Sequence, residues 1–190
     1  VSQGRKKSPV MVGADEHPRP QSTAESLAGL RALFEDGVVT AGNASGINDG
    51  AATLIVGNQA IGEKYGVAPK ARIIAGAVAG VEPRVMGFGP VFAIQKALAR
   101  ADLSLSDIDI IEINEAFASV VLAWQKEMSC NMEKINVNGG AIALGHPLGA
   151  TGSRLMTTLL YEMHRRKVRY GLQTMCEGGG QANVTILELC

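Results

Sequence analysis

From Arg72 onward the hydrophobic positions alternate between short apolar runs and helical stripes. Arg72 to Ala79 is apolar almost throughout, which predicts a buried strand. Pro90 suits the first turn of a helix carrying Val91, Ile94, Ala97, Leu98 and Ala101. Ile108 to Ile113 predicts a second strand. Glu115 to Met128 predicts a helix with Phe117, Val120, Val121, Trp124 and Met128 on one side. Ile135 to Val137 is a short strand entering a Gly-rich loop. Ser153 to Arg166 then predicts a helix with Leu155, Met156, Leu159, Leu160 and Met163 inward. Tyr170 to Cys176 and Ala182 to Leu187 are strands joined by Gly178-Gly179-Gly180. The order βαβαβαββ predicts an α/β fold: a mixed, mostly parallel sheet with helices on both faces. Ligand sites in such sheets lie at the carboxyl ends of the strands.

The amino-terminal third has a different pattern. Its first 22 residues are polar, contain three prolines and read as an irregular arm. Ser22-Thr23-Ala24-Glu25 fits a capping box, and Leu27, Leu30, Leu33 and Phe34 give a helical stripe that Gly37 ends. A loop of small residues follows from Thr40 to Gly50, where repeated Gly and Asn allow close backbone approach. Ala51 to Val56 is a short apolar run, and Asn58 to Tyr65 predicts a helix stopped at Gly66.

Composition narrows the function. In 190 residues, 46% are hydrophobic and 19% charged, enough for a buried core and too few charges for a disordered chain. Lys+Arg and Asp+Glu each total 18, so bulk charge points to no nucleic-acid or anionic-membrane partner. No apolar run has the length of a membrane span, and no secretory signal is expected. Cys130, Cys176 and Cys190 are an odd number at no zinc-like spacing, which argues against a disulfide framework and for a reducing compartment. The chain opens at Val1 rather than Met, which fits a fragment or a processed chain.

Three segments at strand ends carry unusual chemistry. They are Asn114-Glu115-Ala116-Phe117-Ala118, Asn136 to Gly149 with Gly145-His146-Pro147-Leu148-Gly149, and Cys176-Glu177-Gly178-Gly179-Gly180-Gln181. A parallel sheet can gather an amide, an imidazole and a thiol at one edge. Free glycine amides beside a thiol can stabilise an oxyanion, and a nearby His can act as general base. Plainer roles compete residue by residue. Asn114 alone fits a helix N-cap, Glu115 a first-turn helix acid, and His146 a loop residue without a role. His164 fits a solvated helix end, Cys130 and Cys190 fit small apolar residues, and His17 has no evident chemical neighbour. Gly145 to Gly152 lacks the Lys-Ser/Thr ending of a phosphate loop, and no GxGxxG follows a strand.

In combination and in order, these three segments resemble the carboxyl-half motifs of the thiolase family. Ala41 to Gly50 and Met86-Gly87-Phe88-Gly89-Pro90 are similar to two further family elements, so the likeness covers essentially the whole chain. The resemblance implies an acyltransferase, either acetyl-CoA acetyltransferase or 3-ketoacyl-CoA thiolase, acting in fatty acid and lipid metabolism. It also implies coenzyme A as substrate, with no metal or redox cofactor. By the same resemblance, Cys176 exchanges the α-carbon proton, while His146 activates a nucleophilic cysteine and helps bind the thioester oxygen. Asn114 positions a water that forms an oxyanion hole with His146, and the Gly178 amide contributes to another. Ser45 meets the pantetheine arm with Ala41 and Gly46 beside it; Phe34, Met86 and Phe117 line the acyl pocket.

The family's nucleophilic cysteine lies in an amino-terminal half, and none of the three cysteines matches its motif. The resemblance divides the chain into the end of a CoA-covering loop domain (1–48), a last segment of the amino-terminal domain (49–69) and a carboxyl-terminal domain (70–190). The expected partners are CoA thioesters, the missing half or a companion chain, and further copies in a homodimer or homotetramer. Cytoplasm and mitochondrial matrix fit equally. Glu177, where the family usually has an apolar residue, raises the Cys176 pKa if its carboxylate points inward. Ala182 replaces a frequent Gly. The alternative function is a non-catalytic thiolase-derived chain that binds CoA or a partner.

Overall fold

The computed structural model describes Val1 and residues 8–190. Its centre is a four-stranded sheet of β1 (Ala71–Gly80), β2 (Ile110–Ile113), β3 (Tyr170–Glu177) and β4 (Gln181–Leu189), ordered β1-β4-β3-β2. β2 pairs parallel with β3, whereas β4 is antiparallel to both β1 and β3. Three strands therefore share one direction, as the βα alternation predicts. The β3–β4 hairpin sends the last strand back between β1 and β3, so the sheet is mixed and two of its three pairings are antiparallel.

The strand expected at Ile135–Val137 contracts to a single parallel bridge, Ile111 to Ile135. Asn136 causes this. Its backbone turns to φ 44°, and its side-chain amide takes the place of a strand's peptide group. Oδ1 accepts from the Ile113 N–H, and Nδ2 donates to the Ile113 carbonyl, both at 2.9 Å.

Side chains alternate across the sheet with the period of two that strands impose. On one face Ala75, Ala77, Ile111, Ile113, Leu172, Val184 and Ile186 pack against α3 (Gly89–Ala101) and α4 (Ala118–Met128), which contribute Ile94 and Trp124. On the other face Ile110 and Leu187 meet Leu159 and Met163 of α6 (Thr151–Arg166), which follows the single-turn α5 (Ala141–Leu144). The Ala182 methyl lies where a Cβ on Gly89 would fall, 2.8 Å away, so Ala182 is packed directly against the start of α3.

Residues 8–70 are organised differently: none of them is buried. α1 is a single turn (Ala24–Ala28) capped by Thr23 and ended by Gly29, far shorter than the helix expected up to Gly37. Leu27 and Leu30 cover Gly42 instead of extending a stripe, while Leu33 and Phe34 remain 59% and 70% exposed. α2 (Gln59–Tyr65) matches expectation, with Gly66 left-handed at its end. Between these helices the Ala51–Val56 run is without strand partners, and Ile55 is 93% exposed.

Candidate active site

The carboxyl end of β2 runs into Asn114–Phe117, which is extended rather than helical. The reason lies 70 residues earlier. The Ser45 N–H donates to Ala116 O (3.0 Å), the Ala118 N–H donates to Asn43 O (2.8 Å), and Ala44 bridges Phe117 antiparallel. α4 consequently starts at Ala118, three residues later than the apolar stripe predicts. The same loop then turns to the second segment. The His146 N–H donates to Gly46 O (2.9 Å) and to Asn48 Oδ1 (3.2 Å), and Ile47 bridges His146 in parallel. Residues 43–48 thus form a seam between the Asn114 and His146 segments. Gly145 is required beside it: φ is 93°, and a Cβ would lie 2.5 Å from Asn48 Oδ1.

Across this seam Asn114 Nδ2 lies 3.3 Å from His146 Nε2. Asn114 is buried and its Oδ1 has no protein partner; it is not a helix N-cap. On the other side of the ring, His146 Nδ1 lies 2.7 Å from Thr151 Oγ1. Burial, and next the positive charge of Arg154, hold the His146 pKa below the ordinary histidine value. The imidazole is therefore neutral at neutral pH, the state a base requires.

The Asn114 N–H donates to Thr174 O (3.1 Å), so Cys176 stands two residues further along the neighbouring strand. Burial pushes its thiol pKa up; its own backbone hydrogen bond opposes this and the Glu177 charge adds to it. Glu177 also accepts from Asn183 Nδ2 across the hairpin. Met86 and Phe117 pack against the buried cluster that contains Cys176. Gly178 sits on the exposed hairpin turn with open space beside it. Phe34 and Ala41 are exposed and are not brought into this cluster. Cys190 lies at the opposite end of β4, and Cys130 follows the far end of α4, so neither thiol reaches Cys176.

Several residues of the site differ from their sequence reading or escape it. Glu115 is not a helix acid: it accepts from Asn136 Nδ2 (2.8 Å) and the Ile142 N–H (3.1 Å), holding the Gly-rich loop from beneath. Its carboxylate occupies the space where a Cβ on Gly140 would fall. His17, without an evident neighbour in sequence, donates from Nε2 to Ile142 O (3.0 Å) and lies over Gly46. His164 is half-buried and donates to Lys70 O (3.0 Å), so it is more than a solvated helix end. Asn48 and Thr151 gave no separate signal; only the Asn-rich loop and a hydroxyl at a helix start pointed their way. Behind the site Glu112 and Gln173 are buried with side-chain oxygens unpartnered, and two buried Arg154 nitrogens likewise. Burial raises the Glu112 pKa to about 8, against the opposing charge of Arg154. Among the described residues, no three His, Cys, Asp or Glu side chains converge as a metal site, and no helix is long and apolar enough to cross a membrane.

Similarity to known proteins identifies the family. The thiolase C-terminal domain matches residues 67–189, and the thiolase N-terminal domain matches residues 1–60. An acetyl-CoA acetyltransferase of Allochromatium vinosum is 50% identical over 185 residues, 97% of this chain and 47% of that protein. A 3-oxoadipyl-CoA/3-oxo-5,6-dehydrosuberyl-CoA thiolase of Escherichia coli K12 is 54% identical over 92% of this chain and 44% of its own length. The crystal structure of Bacillus anthracis acetyl-CoA acetyltransferase superposes with a TM-score of 0.92 at 47% identity, covering 100% of this chain and 48% of that one. Human mitochondrial 3-ketoacyl-CoA thiolase in complex with CoA gives 0.87 at 43% identity, covering 94% and 46%. The chain spans about half the length of the relatives it matches. On its motifs, its fold and these matches together, the chain belongs to the thiolase family.

Proposed function

We propose that this chain supplies the acid–base half of a thiolase active site. The whole enzyme would interconvert a 3-ketoacyl-CoA and free coenzyme A with acetyl-CoA and a shortened acyl-CoA. The observation that carries this reading is the meeting of Asn114 and His146 across the 43–48 seam, with Cys176 at the adjoining strand end. The nucleophilic cysteine would come from an amino-terminal half, a reading supported by the placement of Cys130 and Cys190 away from Cys176. The neutral imidazole of His146 takes the nucleophile's proton. In thiolysis the thiolate adds to the 3-keto carbon and the C2–C3 bond breaks. The electron pair leaves as the enolate of acetyl-CoA, and the Cys176 S–H protonates C2. A thiol whose pKa is raised by burial holds that proton until the carbanion forms. The buried Asn114 amide, with an unpartnered Oδ1, orients a water that shares the enolate oxygen with His146. The open Gly178 amide faces the second oxyanion. Ser45, Ala41 and Gly46 meet the pantetheine arm of CoA, and Met86 and Phe117 wall the acyl chain, with Phe34 closing over it.

The division at 48 and 69 follows from the same reading. The buried core begins only after residue 70, and exposed Ile47, Ile55 and Val56 fit a surface that the amino-terminal half covers. Assembly as a homodimer or homotetramer, in cytoplasm or mitochondrial matrix, completes the proposal. The test is acetoacetyl-CoA cleavage by the enzyme assembled from this chain and its amino-terminal half. Cys176→Ser and His146→Ala each lower turnover about 100-fold or more. Wild-type rates in either variant would remove these roles and favour a chain that binds CoA without turnover.

A further inference from the structure

We propose that Thr151 is a positioning residue that fixes His146 in the tautomer with the proton on Nδ1 and the lone pair on Nε2. The inference rests on the thiolase reading above, and it turns on the donors and acceptors around one buried hydroxyl. Thr151 is the first residue of α6 and is fully buried. Its Oγ1 lies 2.9 Å from the carbonyl oxygen of Pro147, one helical turn back. A carbonyl only accepts, so the single hydroxyl proton of Thr151 points there. The 2.7 Å contact between Oγ1 and His146 Nδ1 then has one consistent arrangement, with the ring N–H donating to the hydroxyl oxygen. A neutral imidazole has one N–H, so Nε2 is bare. Asn114 completes the chain by directing its Nδ2 donor at that nitrogen, 3.3 Å away. Every donor from Asn114 through His146 and Thr151 to Pro147 then faces an acceptor.

The arrangement is compact in sequence as well as in space. Pro147 follows His146, its carbonyl also accepts the Thr151 N–H at 2.8 Å, and the ring and its acceptor are therefore held by one turn of chain. The acceptor is a neutral hydroxyl rather than a carboxylate. It orients the ring without a charge that would favour the imidazolium, which suits a base that must begin neutral. Without it, the ring could place its proton on Nε2 and present a donor where the nucleophile's proton has to go.

Three variants of the assembled enzyme test this: Thr151→Val, Thr151→Ser and His146→Ala. Val keeps the shape of Thr and removes the hydroxyl. We expect Thr151→Val to lower kcat on acetoacetyl-CoA about 10- to 100-fold with KM within about two-fold. The acidic limb of its kcat/KM profile should move to lower pH, because the imidazolium loses its Nδ1 acceptor. Thr151→Ser should restore kcat to within about three-fold. Long-range ¹H–¹⁵N NMR of histidine-labelled enzyme, assigned by loss of the signal in His146→Ala, should show Nδ1 protonated in the wild type and a changed tautomer ratio in Thr151→Val. If Thr151→Val does not fold, the wild-type spectrum and Thr151→Ser still decide the matter. An Nε2–H tautomer in the wild type would overturn the proposal. So would a Thr151→Val enzyme with wild-type kcat, acidic limb and tautomer. Should His146→Ala itself retain full activity, the thiolase roles fail first and independently of Thr151.

Discussion

Residues 71–189 and residues 8–70 hold their shapes by different means. The former wrap a sheet with helices on both faces and bury Ile94, Ile113, Trp124, Leu155 and Ile186 completely. The latter contain no buried residue, and their attachment at residues 43–48 consists of backbone hydrogen bonds to Ala116, Ala118 and His146 together with the bond from the His146 N–H to the Asn48 side chain. Hydrophobic burial dominates stability, so the carboxyl-terminal region is the one able to stand by itself. The seam, by contrast, contributes position: it sets the backbone on either side of the Asn114–His146 contact while adding little buried area. A site can therefore be held in place by a segment that the core does not need.

Variants that break this comparison should fall in a clear order. Trp124→Ala, at a fully buried position between α4 and the sheet, should lower stability by about 3–5 kcal/mol in denaturant titration. A similar loss from any single substitution in residues 8–50 would erase the contrast. Next is Glu112→Gln, whose effect depends on pH. Glu112 has a folded-state pKa of about 8 against 4.5 for an ordinary glutamate carboxyl. Its contribution is fully present below pH 4.5 and is lost as pH rises through about 8. Thermal melts should thus show Glu112→Gln near wild type at pH 4.5 and increasingly more stable than wild type toward pH 8, by about 1–3 kcal/mol. A gain that is the same at both pH values would contradict the buried, unpartnered carboxyl.

Asn48→Ala removes the side-chain acceptor of the His146 N–H. It should reduce kcat about 3- to 10-fold in an acetoacetyl-CoA assay and cost stability only about 0.5–1.5 kcal/mol. A larger stability loss than activity loss would make the seam part of the core after all. The smallest effect is Ile55→Ser at a 93% exposed position: within about 0.5 kcal/mol in this chain alone. Against an assembled amino-terminal half the same change should cost about 1.5 kcal/mol or more.

The sequence legible to periodicity was the part governed by local burial. α3, α6, β3 and β4 lie within a few residues of expectation because their apolar stripes face the two buried clusters on either side of the sheet. Failures occur where distant segments override the local pattern. α4 starts late because residues 43–45 pair with Ala116–Ala118, and α1 stops early because Leu27 and Leu30 turn onto Gly42. No window of residues contains that information. The Ile135 strand fails for a related reason, since the Asn136 side chain does the work of a backbone. At the candidate site, the segments carrying Asn114, His146 and Cys176, which the structure brings together, were legible from their motifs, as was the 41–50 loop that joins two of them. Asn48, Thr151 and the bracing by Glu115 and His17 were not, because ordinary polar residues acquire those roles only through contacts made in three dimensions.

On the proposed function, this chain carries the acid–base half of the site and takes its nucleophile from elsewhere. Acetoacetyl-CoA cleavage, measured for the chain alone and again with an amino-terminal thiolase half added, tests it directly. No turnover above background is expected for the chain alone, with thiolysis appearing on addition and disappearing with His146→Ala. Turnover by the isolated chain at the assembled rate would place the nucleophile within these 190 residues and contradict the account.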